Sequence, residues 1–148
     1  MEKLGRSTDY IEALADLETA LKWKTESRFS GKTLVWGSSY SASLVFLLAA
    51  KHPELDAVLS FSPGEYLATR KDEVRQAARG VKQPVLVLTP GDERGCAEPV
   101  VEAIAGDDKR LVIPERAVHG SSMLVSERNE GAAAIWPEVQ AFLERFKG

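Results

Sequence analysis

A serine between a predicted strand and a predicted helix is the first candidate for chemistry in this sequence. The segment Gly37-Ser38-Ser39-Tyr40-Ser41 follows a short apolar run and precedes a stretch rich in Ala and Leu. A serine on such a sharp turn exposes its hydroxyl, and its usual signature has glycine two places before and two places after it. Gly37 meets the first requirement, and Ser41, a small residue, stands at the second position. The spacing favours Ser39 over Ser38 as a nucleophile, and the alternative is a serine-rich loop that caps a helix.

Two carboxylates follow a later predicted strand, Pro84–Leu88, in the segment Thr89-Pro90-Gly91-Asp92-Glu93. A nucleophilic serine needs a histidine base, and a carboxylate holds that base in the right tautomer and stabilises its charged form. We predict that Asp92 is this acid, with Glu93 as the alternative. An ordinary polar turn is the other interpretation of the segment.

The sequence contains two histidines, His52 and His119. His52 precedes Pro53 at the end of a predicted helix, where it is expected to be a solvated cap residue. His119 lies in a loop of small residues after the last predicted strand, and we predict that it is the base. Ser39, Asp92 and His119 then follow three separate strands in the order Ser, Asp, His. In parallel sheets the carboxyl ends of the strands lie at one edge, which is where ligands bind.

Helix-like and strand-like segments alternate along the whole chain. The order α-β-α-β-α-β-α-β-α predicts one α/β domain over residues 1–148, with a parallel βαβ sheet of about four strands flanked by helices. The predicted strands are Thr33–Trp36, Ala57–Phe61, Pro84–Leu88 and Leu111–Ile113. The predicted helices cover about 11–23, 41–51, 71–79, 98–105 and 131–146.

These motifs resemble the C-terminal half of an α/β-hydrolase of the dienelactone-hydrolase-like esterase group, and we expect a truncated α/β-hydrolase-like fold. The resemblance implies a cofactor-free enzyme that cleaves small carboxylic esters through an acyl-enzyme. In that case Ser39 would attack the carbonyl, His119 would carry the proton, and Asp92 would orient His119. The N–H of Tyr40, directly after the nucleophile, would be one oxyanion donor.

The sequence departs from the family pattern before the first strand. Residues 1–31 leave room for one helix and no strand, and they contain no His-Gly-Gly-Gly segment that could supply the second oxyanion donor. A non-catalytic remnant that serves as a dimerisation or binding module is therefore the competing hypothesis. The strand Thr33–Trp36 would also form an exposed apolar edge, and soluble proteins usually cover such edges. We therefore expect a homodimer that buries it.

Further residues are candidates for substrate contact. The segment Ser62-Pro63-Gly64-Glu65-Tyr66 follows a strand end, so that Glu65 and Tyr66, together with Ser38, are expected to touch the ligand. A routine Pro-Gly turn is the alternative for this segment. Cys96 is the only cysteine, and we expect it to be inert and partly buried.

Composition excludes several other classes of function. The 148 residues are 44% hydrophobic and 28% charged, and the net charge of −3 offers no attraction to nucleic acid or to anionic lipid. A single cysteine excludes a cysteine-rich metal site, so we expect no metal. Neither a signal peptide nor a membrane-spanning stretch is evident, which predicts a cytoplasmic protein. A flavodoxin-like nucleotide binder would share the βαβ pattern, but the glycine-rich phosphate loop is lacking.

Overall fold

The computed structural model describes residues 12–27, 29–67 and 71–147. These residues form five helices and four strands, and the predicted alternation is confirmed. The elements are α1 (Ala13–Glu26), β1 (Leu34–Ser38), α2 (Tyr40–Lys51), β2 (Ala57–Phe61), α3 (Glu73–Ala78), β3 (Val85–Leu88), α4 (Arg94–Ala103), β4 (Lys109–Val112) and α5 (Ala132–Glu144). Two 3₁₀ turns cover Gly91–Glu93 and Gly120–Leu124.

The chain divides into two compact units, and the boundary falls between Ser30 and Gly31. The first unit contains α1, which confirms a helix in this region, although Ile11 at its predicted start lies outside the described residues. Within this unit the rings of Trp23 and Phe29 lie 5.5 Å apart. That residues 1–148 fold as one domain stays a prediction.

The second unit is built on one sheet of four parallel strands, as predicted, and their order is β1-β2-β3-β4. Every residue of β2 and β3 is buried, which explains why these strands are apolar except for Ser60. The outer strands β1 and β4 are partly exposed, and the side chain of Trp36 in β1 is 42% exposed. The predicted edge strand is therefore confirmed, whereas the homodimer that would cover it stays a prediction.

Helices cover both faces of this sheet. On one face, the hydroxyl of Ser60 in β2 donates a hydrogen bond to the carbonyl oxygen of Ala42 in α2, and α2, α3 and α4 contact one another in succession. On the other face, α5 packs on β2 and β3 to form the core. That core includes Ala57, Leu59, Phe61, Leu86, Leu88, Ile135, Val139 and Phe142. The arrangement leaves the carboxyl ends of the strands to carry the loops that contain the candidate site.

The helix α4 begins earlier than the sequence predicts, at Arg94 and not at residue 98. Pro99 lies inside this helix, where its missing N–H costs one backbone hydrogen bond. Ala97, Val100 and Ile104 are buried at three- and four-residue spacing, and packing of this face outweighs the lost hydrogen bond. Pro137 likewise lies inside α5 and does not mark its start.

None of the helices in the described part of the chain is long and apolar enough to cross a membrane.

Candidate active site

Ser39 lies between β1 and α2 with a backbone φ of 58° and ψ of −122°. A non-glycine residue with positive φ costs on the order of 1–3 kcal/mol, so the surrounding structure must hold it. The N–H of Ser39 donates to the carbonyl oxygen of Phe61 at 2.9 Å, and the carbonyl oxygen of Ser39 accepts from the N–H of Ala42 at 3.0 Å. These two bonds fix the sharp turn that separates strand from helix.

The residues on either side of this turn explain the local sequence. A Cβ atom on Gly37 would lie 2.6 Å from the carbonyl carbon of Ser41 and 2.7 Å from the Cα of Ala42, so that position admits no side chain. Ser41 occupies the place of the second glycine, and its hydroxyl accepts from the N–H of Ser38 and donates to the carbonyl oxygen of Ser38, both at 2.9 Å. Ser41 thus ties the turn together by side-chain hydrogen bonds.

The structure brings three side chains into one hydrogen-bonded series. Ser39 Oγ lies 2.7 Å from His119 Nε2, and His119 Nδ1 lies 2.6 Å from Glu93 Oε1. An ionised carboxylate can only accept, so Nδ1 carries the proton and Nε2 is left to accept from the serine hydroxyl. The side chain of His119 is 48% exposed and that of Glu93 is 23% exposed. The imidazole is therefore open to solvent, while the carboxylate bonded to it is largely covered.

The carboxylate beside His119 belongs to Glu93, and the prediction that Asp92 takes this position is wrong. Asp92 is exposed in the 3₁₀ turn Gly91–Glu93 that leads directly into α4. Successive residues of a 3₁₀ helix point about 120° apart, so adjacent carboxylates cannot face the same partner. The sequence offered both carboxylates, but it did not indicate that this turn is helical.

The hydroxyl of Ser38 contacts the histidine loop, and the expectation that Ser38 touches the ligand stays a prediction. Ser38 Oγ accepts from the N–H of Ser121 at 2.9 Å. Ser62 Oγ accepts from the N–H of Gly120, also at 2.9 Å. Ser62 is absent from the predicted site residues, although a small polar residue directly after a buried strand is a signal that could have found it.

Glu65 is bonded to the start of α3, and the expectation that it also touches the ligand stays a prediction. Its Oε2 accepts from the N–H of Val74 at 2.9 Å, and its Oε1 accepts from the N–H of Arg75 at 3.0 Å and from Arg75 Nε at 3.1 Å. Both carboxylate oxygens are thus engaged at the start of α3, where a negative charge also suits the helix dipole. Glu65 anchors that short helix.

Tyr66 remains close to the candidate site. Its ring packs over Gly64, where a Cβ atom would meet the ring at 2.7 Å, and it lines a cavity of about 350 Å³ beside Cys96 and Pro99. Burial raises the pKa of the Tyr66 phenol, and the negative charges of Glu93 and Cys96 raise it further. Tyr66 therefore lies in the electrostatic field of the acid. That Tyr66 touches substrate stays a prediction.

Two more sequence expectations concern Tyr40 and Cys96. Tyr40 is the first residue of α2, so its N–H lies at the helix N-terminus beside Ser39, a position that suits an oxyanion donor. Cys96 is an exposed residue of α4, which corrects the expectation of partial burial. Within residues 12–27, 29–67 and 71–147, no three His, Cys, Asp or Glu side chains are grouped to hold a metal ion.

The overall architecture is similar to several solved structures. The esterase domain of a Rhodothermus marinus protein superposes with a TM-score of 0.72 at 17% identity, over 99% of this chain and 71% of that one. A dienelactone hydrolase from Anabaena variabilis gives 0.73 at 23% identity, over 94% and 62%. An esterase from Pyrococcus furiosus gives 0.71 at 17% identity, over 96% and 64%. This chain adopts the α/β-hydrolase fold.

In the α/β-hydrolase fold, nucleophile, acid and base follow one another along the chain as Ser, then Asp or Glu, then His. Ser39, Glu93 and His119 keep this order along the chain. The chain spans 62% of the length of the Anabaena protein and 64% of that of the Pyrococcus protein. By sequence alone, no protein-family model and no curated protein matches this chain.

Proposed function

We propose that this protein is a serine hydrolase of small carboxylic esters, with Ser39 as nucleophile, His119 as general base and Glu93 as the acid that orients the base. The observation that carries the proposal is the series of two short hydrogen bonds, 2.7 Å from Ser39 Oγ to His119 Nε2 and 2.6 Å from His119 Nδ1 to Glu93 Oε1. Nucleophile, base and orienting carboxylate within hydrogen-bond reach are the arrangement that activates a serine.

In the first half of the reaction, Ser39 Oγ bonds to the ester carbonyl carbon while its proton passes to His119 Nε2. The carbonyl oxygen becomes an oxyanion, and the N–H of Tyr40 at the start of α2 is the proposed donor to it. Collapse of this intermediate breaks the bond to the alcohol oxygen, which takes the proton from His119 and leaves as the alcohol.

In the second half, water replaces the alcohol. His119 Nε2 accepts a proton from the water as its oxygen bonds to the acyl carbon, and the proton then returns to Ser39 Oγ as the carboxylic acid leaves. Glu93 keeps the proton on Nδ1 throughout and stabilises the imidazolium that forms in each half. The proton transfers balance within the side chains, so the proposed cycle uses water as the only co-reactant.

The strained conformation of Ser39 supports this role. Backbone strain of this kind concentrates at functional sites, where it holds a reactive group in place. The similar structures, which include esterases and a dienelactone hydrolase, support an ester as the substrate class.

Hydrolysis of p-nitrophenyl butyrate by the wild type, Ser39→Ala and His119→Ala tests the proposal. We expect wild-type turnover to exceed that of either variant by about 10⁴-fold or more, because each removes a member of one catalytic unit. Circular dichroism and the melting temperature must be unchanged in both variants. A wild type that is no faster than Ser39→Ala would favour the non-catalytic binding or dimerisation module.

A further inference from the structure

The two N–H groups that directly follow His119 are both held by serine hydroxyls. The N–H of Gly120 donates to Ser62 Oγ and the N–H of Ser121 donates to Ser38 Oγ, each at 2.9 Å. Ser38 is the last residue of β1, and Ser62 directly follows β2. Because β1 and β2 are hydrogen-bonded neighbours, the two hydroxyls lie on one rigid edge of the sheet.

The backbone has an unusual conformation at two positions near these hydroxyls, Ser62 and Gly120. Ser62 is fully buried and has a φ of 57°, and within the described residues it shares positive φ, among the non-glycine residues, only with Ser39. Gly120 has a φ of 66°, and a Cβ atom there would lie 2.7 Å from Ser38 Oγ. Positive φ at Gly120 and the close approach of Ser38 together require glycine after the histidine. Ser39 and Ser62, the two serines with positive φ, thus both lie at the candidate site.

We infer that Ser38 and Ser62, here called the serine clamp, are positioning residues that hold the loop of His119 so that Nε2 faces Ser39 Oγ. This inference rests on the proposed function, since it concerns the same reaction. His119 is 48% exposed and its ring contacts solvent on one side, so packing alone leaves it freedom to turn away. The clamp restrains the backbone immediately after the histidine, where a displacement of about 1 Å is enough to lower the rate about 100-fold.

Steady-state kinetics with p-nitrophenyl butyrate on Ser38→Ala and Ser62→Gly test the clamp. Glycine suits the positive φ at position 62, so Ser62→Gly removes the hydroxyl without adding backbone strain. We expect each variant to lower kcat about 10- to 100-fold while KM stays within about twofold, because a misplaced base affects the transition state and not substrate binding. The double variant is expected to lose no more than Ser39→Ala loses.

Ser60→Ala is the matched control. Ser60 is also fully buried and lies two residues before Ser62, but its hydroxyl bonds to the carbonyl oxygen of Ala42 and not to the histidine loop. We expect Ser60→Ala to lower the melting temperature and to leave kcat within about twofold. If either clamp variant behaves like this control, or raises KM at unchanged kcat, the clamp is overturned while the esterase stands. An inactive wild type would overturn both.

Discussion

The turn at Ser39 and the turn at Glu93 differ in how tightly the backbone surrounds them. At the turn after β1, a Cβ atom on Gly37 would collide with the main chain of Ser41 and Ala42. At the turn after β3, a Cβ atom on Gly91 would meet only Ile113 Cγ2, at 3.9 Å. The crowded turn demands particular residue types at fixed positions, and the open turn demands none. A crowded turn can therefore be recognised from the residue types in the sequence, whereas an open turn cannot.

The adjacent carboxylates of the open turn give the largest contrast in activity. Glu93→Gln is expected to lower kcat about 10²- to 10⁴-fold, because the amide can stabilise the wrong tautomer of His119 and cannot offset its positive charge. Asp92→Asn, one residue away and exposed, is expected to stay within about twofold of the wild type. The turnover of p-nitrophenyl butyrate by the two isosteric variants measures the difference. Equal losses of kcat in the two variants would mean that Glu93 matters no more for activity than Asp92 does.

A pair of glycine substitutions extends the comparison to stability. Gly37→Ala is expected to lower the free energy of unfolding by about 3 kcal/mol or more. The atoms that the new methyl group would meet belong to the backbone of Ser41 and Ala42, which cannot move aside as the end of a flexible side chain can. Gly91→Ala, in the open turn, is expected to change it by no more than about 0.5 kcal/mol. Urea denaturation of both variants gives the two values. Similar values would show that the crowding at Gly37 is relieved by small shifts.

The side-chain hydrogen bonds of the crowded turn have a smaller expected effect. Ser41→Ala removes both bonds to the backbone of Ser38 and should lower the free energy of unfolding by about 1–2 kcal/mol. Ser126→Ala, which removes an exposed hydroxyl bonded to its neighbour Glu127, is the control and should be nearly neutral. Thermal denaturation compares the two, and an equal melting temperature would mean that Ser41 is only a space-filling residue.

The smallest expected effect is electrostatic and again separates the two carboxylates. The folded state holds the Tyr66 proton more tightly than the unfolded state, because burial and then the charges of Glu93 and Cys96 raise the phenol pKa. Its contribution to stability is therefore fully present below about pH 10 and is lost as the pH rises through the folded-state pKa. We expect Glu93→Gln, but not Asp92→Asn, to lower the pKa of Tyr66.

An alkaline titration followed by phenolate absorbance measures this pKa, and subtraction of the Tyr66→Phe curve isolates Tyr66 from the other tyrosines. If Glu93→Gln leaves the pKa of Tyr66 unchanged, the two groups do not interact and Glu93 lies elsewhere in solution.

The sequence predicts the parts of the fold that depend on periodic burial and on steric demand. The buried strands β2 and β3 read as largely apolar runs, and Gly37 two places before Ser39 indicates the sharp turn. The choice between Asp92 and Glu93 could not be made in the same way, because it depends on the helical phase of the turn before α4. The role of Ser62 depends on contact with Gly120, a residue far along the chain, and no local pattern encodes it.

Labelling of the purified protein with a fluorophosphonate tests the central claim most directly, because only an activated serine reacts rapidly with this reagent. We predict rapid modification of Ser39, located by mass spectrometry of the digested protein, and strong slowing in His119→Ala and Glu93→Gln but not in Asp92→Asn. Failure of the folded wild type to react, or equal reaction of wild type and His119→Ala, would contradict the assignment of Ser39, His119 and Glu93 as a catalytic unit.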